Sequence, residues 1–263
     1  IRDSAITLVS IFVVSMLHLF GIFDSLELKS YDYRFMAVRG PLTGWAASDS
    51  TYINMGTDVV LLEVDDEAWR LMPETWPYPR GTVWAKVIRN LAQAGAKVIA
   101  FDIQFDAPET KSEYLHEFAN KINSDDLRQL IPRHGDKMFA EAIQEVKAYN
   151  TEVIISAKMV NEPNRQPPQY IAEPVEEIMK AEPETGLIND QLDDDAFSRR
   201  YAIFGEMSHQ PGRAYLTLGV KAVKSFLDIP DTTVPQYDPE NHIWNYGDLR
   251  IQSYGNSNTL LVK

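Results

Sequence analysis

The stretch from Thr82 to Phe105, TVWAKVIRNLAQAGAKVIAFDIQF, contains the pattern that decides the fold. Apolar residues recur at helical spacing over Thr82–Ala94, and Gly95 is placed to cap the end of this predicted helix. The following segment, Lys97–Phe105, has the apolar character of a strand buried on both faces, and so does the run VVLLEV at Val59–Val64. The order strand, helix, strand predicts a parallel βαβ unit with a right-handed crossover.

Further patterns extend this reading toward the C-terminus. A proline-rich stretch at 161–174 predicts a surface excursion, and a Gly247-Asp248 turn predicts a hairpin over 244–254. Predicted helices cover 113–123, 136–149 and 213–227, and predicted strands cover 152–157, 186–189 and 201–207. The expected fold is therefore an α/β domain with a mainly parallel central sheet flanked by helices.

The N-terminal segment Ala5–Phe23, AITLVSIFVVSMLHLFGIF, has no charged side chain. A membrane-spanning helix needs about 20 mostly apolar residues, so this segment predicts a transmembrane helix. A buried core helix and a secretory signal peptide are the alternatives, although no small-residue cleavage site follows Phe23. The predicted division is a transmembrane helix over 1–25, a stalk over 26–57 and a folded domain over 58–263. Charges flanking the helix leave its orientation open.

Composition narrows the classes of partner. Among 263 residues, 38 acidic and 25 basic side chains give a formal charge of −13. Such a charge repels phosphate backbones, so nucleic-acid binding is not expected. The absence of cysteine removes disulfides, thiolate catalysis and zinc–thiolate sites. The excess of acidic over basic side chains fits an exported domain.

Standard catalytic motifs are missing. The sequence has no glycine-rich phosphate loop and no Gly-x-Ser-x-Gly elbow. His116-Glu117 lacks the second histidine of a zinc protease. The acidic run Asp193–Asp195 lacks the glycine and terminal glutamate of a calcium loop, so it predicts a solvated turn. No catalytic residue and no metal ligand is assigned to this chain.

Four acids follow or lie within strands that are predicted to be neighbours. These acids are Asp65, Asp66, Asp102 and Asp106. Ligands of open α/β sheets bind beyond the carboxyl ends of the strands, so the four acids are candidate ligand contacts. The alternative is structural: an aspartate can cap a following helix, and Asp102 can pair with a cation such as Arg80.

The string WPYPR at Trp76–Arg80 is the second candidate. Its two prolines fix an extended backbone that presents Trp76 and brings Arg80 to the start of a helix. Trp76 could face a ligand, and Arg80 could clamp its carboxylate. The structural alternative is that the string only locks a loop against the sheet.

Several of these segments together resemble the type-two CHASE domain. They are YDYR at Tyr31–Arg34, VVLLEVDDEAW at Val59–Trp69, WPYPR, AKVIRNLAQAGAKVIAFDIQF at Ala85–Phe105 and GLINDQLDDDAFSRRY at Gly186–Tyr201. The resemblance extends from about Leu26 to the end. A glycine often found after the aspartates in this family is Ala196 here.

The resemblance implies a periplasmic or extracellular sensor domain of a bacterial membrane receptor, behind one N-terminal span. The output that follows in such receptors is most often a class III adenylate or guanylate cyclase, and sometimes a kinase. A cyclase output implies a homodimer and requires Mg²⁺ or Mn²⁺, whereas no cofactor is expected in this segment. The expected location is the bacterial inner membrane, with 26–263 outside the cytoplasm and binding an unknown small molecule or protein.

Two other classes stay open. The four acids could hold a divalent cation in a membrane-anchored periplasmic hydrolase. Alternatively, the proline-rich stretch at 161–174 could dock a partner protein in a scaffold.

Overall fold

The computed structural model describes residues 2–20, 29–30, 32–33, 59–74, 76–122, 134–190, 192–193, 196–253 and 259–261. The described residues form two compact units. The first lies within Ile1–Glu63 and Leu192–Arg199, and the second within Val64–Gln191 and Arg200–Val262.

The first unit contains helix α1, Arg2–Leu19. Four consecutive residues, Ile11, Phe12, Val13 and Val14, are all exposed, so apolar side chains cover every face of this helix. Within the part of the chain that the structure describes, none of the helices combines the length and the apolar character that crossing a bilayer requires. The last residues of the predicted span, Gly21–Phe23, and most of the predicted stalk lie outside the described residues.

The second unit is a mixed α/β domain. Its helices are α2 (Asp66–Leu71), α3 (Ala85–Gln93), α4 (Thr110–Ile122), α5 (Gly135–Val146), α6 (Glu176–Met179) and α7 (Leu218–Phe226). A single π-helical turn, Arg80–Trp84, precedes α3, and a 3₁₀ turn, Lys147–Tyr149, follows α5. Its strands are β1 (Val98–Phe101), β2 (Glu152–Asn161), β3 (Gln169–Ala172), β4 (Glu184–Leu187), β5 (Arg200–Ala202), β6 (Phe204–Gly205), β7 (Tyr215–Leu216), β8 (Gln236–Asp238), β9 (Ile243–Tyr246), β10 (Leu249–Gln252) and β11 (Thr259–Leu261).

Strand β2 is the centre of the largest described sheet. It pairs in parallel with β1, with Val98 opposite Glu152, and with β4, with Ile154 opposite Glu184. Its last residues pair with β3 in the antiparallel direction. The other described sheets, β8–β9–β10, β5–β11 and β6–β7, are antiparallel. The prediction of a mainly parallel sheet was therefore wrong, because among the strands that the structure describes only β1, β2 and β4 pair in parallel.

The core lies on both faces of this sheet. Val153 and Ile155 of β2 pack with Ile88 of α3 and with Phe139 and Ile143 of α5. Alternate β2 residues point to the opposite face, where α7 lies so close to β4 that a Cβ on Gly186 would be 2.6 Å from the Leu218 Cα. Burial of β2 on both faces is what its continuous apolar sequence predicted.

The expected strand at Val59–Val64 was a wrong prediction. Residues 59–62 are exposed and have no strand pairing in the structure. A short apolar run indicates a tendency toward burial, but it specifies neither a backbone conformation nor a partner strand.

Other element predictions were confirmed with shifted bounds. Gly95 ends α3 in the left-handed conformation, with φ of 92°. The predicted hairpin is β9–β10, where Gly247, with φ of 60°, is the first residue of a two-residue turn. The proline-rich stretch at 161–174 is not wholly irregular, because it contains β3.

Candidate functional site

The predicted site residues are mostly engaged in local structure. Asp65 is the N-cap of α2 and accepts a hydrogen bond of 2.8 Å from the Ala68 backbone N–H. Asp66 lies in the first turn of this helix, and Asp102 and Asp106 are exposed after β1. No group of three or more acidic or histidine side chains close enough to hold a metal occurs among the described residues. The four acids are thus not assembled into a metal site.

Arg80 is part of an internal network. Its Nη1 donates to Asp136 Oδ1 at 2.5 Å, and its Nη2 donates to the Ala107 carbonyl at 2.6 Å. Asp136 is buried and also accepts from the Glu109 backbone N–H through Oδ2 at 3.1 Å. Arg80 therefore pairs with Asp136 and not with Asp102, and it holds the loop after β1 against α5. These contacts match the structural alternative for the WPYPR string.

Trp76 lies between the exposed Trp69 and the buried Trp84 in a series of aromatic rings. It stacks on Trp69 at a centroid distance of 6.5 Å and meets Trp84 edge to face at 6.5 Å. The series continues through Phe101 into the core. Trp76 is thus packed against other rings, with part of its own ring at the surface.

A cavity of ligand size in the second unit lies elsewhere. It has a volume of about 430 Å³, within the range of small-molecule sites. Its wall is formed by β4, α7, the segment 212–216, the loop 231–235 and Tyr246 of β9. None of the six predicted site residues lines it. We call it the α7 cavity.

Two lysines of α7 form the floor of the α7 cavity. Lys224 is only 5% exposed, and its Nζ forms an ion pair with Asp231. Lys221 forms an ion pair with Glu184 of β4, and its Nζ lies 4.0 Å from Asp231 Oδ1. The spacing of three residues places both ammonium groups on one face of the helix.

The ionisation of these groups follows from their surroundings. Burial acts to lower the pKa of Lys224, but the hydrogen bond and charge of Asp231 outweigh it, so the pKa is raised. The hydrogen bond from Lys224 lowers the pKa of Asp231, against the opposing effect of burial. Burial raises the pKa of Tyr246, which keeps its hydroxyl neutral at pH 7. The α7 cavity therefore presents a charged pair and a neutral phenol at neutral pH.

Sequence reasoning missed these residues. Their positions depend on the ion pair between Glu184 in β4 and Lys221 in α7, two residues far apart in the chain. The available signal was weak: Lys221 and Lys224 share a helix face with the buried Val220 and not with a polar stripe.

The first unit contains a second charged cluster. Arg199 is buried and donates to Asp32 through Nε and Nη2, both at 2.6 Å. Its Nη1 donates to Asp193 at 3.1 Å. Asp193 is buried, so the prediction of a solvated turn was wrong at this residue. Asp194 and Asp195 lie outside the described residues.

The Arg199 cluster joins two segments on which the family resemblance rests, the YDYR string and the acidic run before Arg199. The family model of the CHASE2 domain matches residues 6–262. The chain belongs to the CHASE2 family. CHASE2 domains are extracellular sensor domains of signalling receptors. No curated protein and no solved structure matches the chain.

Proposed function

We propose that this CHASE2 chain is the extracytoplasmic input module of a bacterial membrane receptor whose output is a class III adenylate or guanylate cyclase. The observation that carries the proposal is the family match over 6–262, supported by a ligand-sized cavity lined with charged groups. A membrane kinase is the alternative output. Mg²⁺ or Mn²⁺ would then belong to the output domain.

Membrane attachment is part of the proposal. Helix α1 exposes apolar side chains on all faces, which is typical of a helix surrounded by lipid or by other helices. The described helix ends at Leu19, so the proposed anchor also requires the apolar segment that continues to Phe23. The domain would then lie on the outer side of the bacterial inner membrane.

Signal transfer would follow from a shift between two conformations. A ligand shifts such an equilibrium only by its difference in affinity for the two states. The bidentate pair between Arg199 and Asp32 fixes the segment next to the proposed anchor. Arg199 directly precedes β5 of the second unit in the chain. We propose that this pair passes the shift toward α1, in a receptor that works as a homodimer.

The two competing classes gain no support. A metal-dependent hydrolase would need the four acids together, and they are not gathered among the described residues. In the proline-rich stretch, Gln169 Oε1 accepts hydrogen bonds from Ser208 at 2.7 and 2.8 Å. Arg165 stacks on Tyr170 there at 3.6 Å. The contacts with Ser208 hold the stretch against its own domain, and the Arg165–Tyr170 contact lies within the stretch. Neither offers an argument for a partner protein. Ligand contact by the six predicted site residues remains a prediction.

Membrane fractionation tests the anchor. The full chain is expected to remain in bacterial membranes after an alkaline wash. Replacing both Val13 and Val14 by Arg should release it, because each central arginine costs about 2.5–3.5 kcal/mol of insertion free energy. Ser10→Ala is the matched control and should stay in the membrane. A wild-type chain recovered in the wash would contradict the anchor.

A further inference from the structure

We propose that the α7 cavity binds a small organic acid, whose carboxylate takes the place of the Asp231 carboxylate beside Lys224. This inference rests on the proposed sensor function, because it names the class of ligand that the sensor would take. Without ligand, the Asp231 carboxylate occupies the position of the ligand carboxylate. The ligand displaces Asp231 when it binds.

Lys224 is a buried cation that needs a negatively charged partner. Its side chain is 7% exposed, and Asp231 is its partner among the described residues. A buried ammonium group without an opposite charge is strongly unfavourable. Whatever occupies this position must therefore be an acceptor with negative charge, and the group now present is a carboxylate.

The two partners of this ion pair, Lys224 and Asp231, differ in exposure. The side chain of Asp231 is 75% exposed, and it lies on the loop that joins α7 to β8. An exposed carboxylate regains its full hydration when it leaves, whereas Lys224 stays buried in the helix. Exchange of Asp231 for a ligand carboxylate is therefore favoured over withdrawal of Lys224. The exchange would release the loop 231–235, which forms part of the cavity wall.

The cavity contains other hydrogen-bond donors, on Arg213 and Tyr246. Arg213 lines it and is exposed, with its guanidinium 5.0 Å above the Tyr215 ring. Tyr246 also lines the cavity and is 3% exposed. Both groups can donate to further oxygens of a bound acid. Lys221 is already held by Glu184.

The charges of the lining support an anion. Three cations, Arg213, Lys221 and Lys224, face three acids, Glu173, Glu184 and Asp231. The lining is balanced while Asp231 occupies its place. Once Asp231 turns into solvent, one positive charge remains in excess, and an acid of charge −1 or more restores the balance.

Calorimetric titration of the full chain in detergent with succinate tests the proposal. Asp231→Asn removes the internal competitor, so it should bind succinate at least about tenfold more tightly than wild type, since affinity scales with the competent fraction. Lys224→Met should abolish binding. If Lys224→Met does not fold, Arg213→Gln at the exposed rim should weaken binding several-fold.

Asp228→Asn is the matched control. Asp228 lies on the same loop and also pairs with a lysine, Lys97, at 2.6 Å, but it does not line the cavity. This variant should bind succinate as wild type does. The proposal is overturned if Asp231→Asn binds no more tightly than wild type, or if neither protein binds. Equal binding of inorganic phosphate would contradict the assignment to a carboxylate. Each of these results leaves the membrane-fractionation test of the sensor function unaffected.

Discussion

At the scale of single residues, buried charges determine what each candidate side chain can do. Arg80 was predicted as a ligand clamp, yet its guanidinium is already bound to Asp136 and to the Ala107 carbonyl. The side chains of Arg80 and Asp136 are both largely buried. An arginine whose donors are satisfied internally organises a loop, and that is the role the contacts support.

Replacing Asp136 should therefore be costly. Asp136→Asn is expected to lower the free energy of unfolding by about 3 kcal/mol, because it leaves the Arg80 charge buried without its partner. Urea unfolding of the full chain measures this. Glu145→Gln is the control, since the Arg89–Glu145 pair is partly exposed and should contribute less than about 1 kcal/mol. Equal losses in the two variants would contradict the assigned role of Arg80.

The Lys224–Asp231 pair predicts a defined pH dependence. The lowered pKa of Asp231 contributes stability above its ordinary value of 3.8, and this is lost as pH falls through the folded value. The raised pKa of Lys224 contributes stability below 10.5, and this is lost as pH rises through the folded value. Asp231→Asn should therefore destabilise the chain most between these limits. Unfolding midpoints against pH check this, and an effect that persists unchanged at pH 2 would contradict it.

The sequence predicted the roles of residues that interact with near neighbours in the chain. It did not predict pairs of residues that are far apart in the chain. Capping by Asp65 was one of the two readings of that residue, because a cap needs only the next three residues. The pairs Lys221–Glu184 and Arg199–Asp32 join residues far apart in the chain. No periodicity encodes such a distance, so these pairs became visible only in the fold.

At the scale of elements, the contact of α7 with β4 positions the α7 cavity. Gly186 allows this contact, because any side chain there would meet the backbone of Leu218. The helix and strand existed in the sequence prediction with shifted bounds, but their close approach did not. The helices were predicted from the periodic spacing of their apolar residues. The partner of each strand is set by tertiary contacts, which this spacing does not show.

Gly186→Ala is expected to destabilise the chain by about 1–3 kcal/mol, because α7 must move away from β4. Gly219→Ala is the control, since its Cβ would meet only the end of the Tyr201 side chain at 3.2 Å and alanine favours the helix. Thermal unfolding compares the two. A loss at Gly219 as large as that at Gly186 would contradict the assigned contact.

At the scale of the whole molecule, the Arg199 cluster holds together the first unit. Arg199→Met removes the ion pair that Arg199 forms with the buried Asp193 at 3.1 Å, which should open this segment. The backbone N–H groups of Asp193 and Ala196, now bonded to the carbonyls of Phe197 and Asp193, should exchange hydrogen faster. Mass spectrometry of the full chain measures this exchange. Arg213→Met in the second unit should leave it unchanged, and unaltered exchange in Arg199→Met would contradict the cluster's role.

Family membership was predictable from the sequence because the WPYPR string and the strand ending in Phe-Asp are local and distinctive, whereas the acidic segment before Arg199 is looser. The sheet was only partly predictable, because β3 and the three smaller antiparallel sheets depend on short strands of two to four residues. Such strands carry too few side chains to show a clear alternation.

The proposed sensor function requires that the domain lies outside the cytoplasm, and labelling of a single introduced cysteine measures this. The chain has no cysteine, so Glu240→Cys in an exposed turn introduces a single reactive thiol. Intact bacteria are treated with a maleimide that cannot cross the inner membrane. A domain outside the cytoplasm should be labelled at Glu240→Cys in intact cells as fully as after lysis. Labelling only after lysis would place the domain inside the cytoplasm.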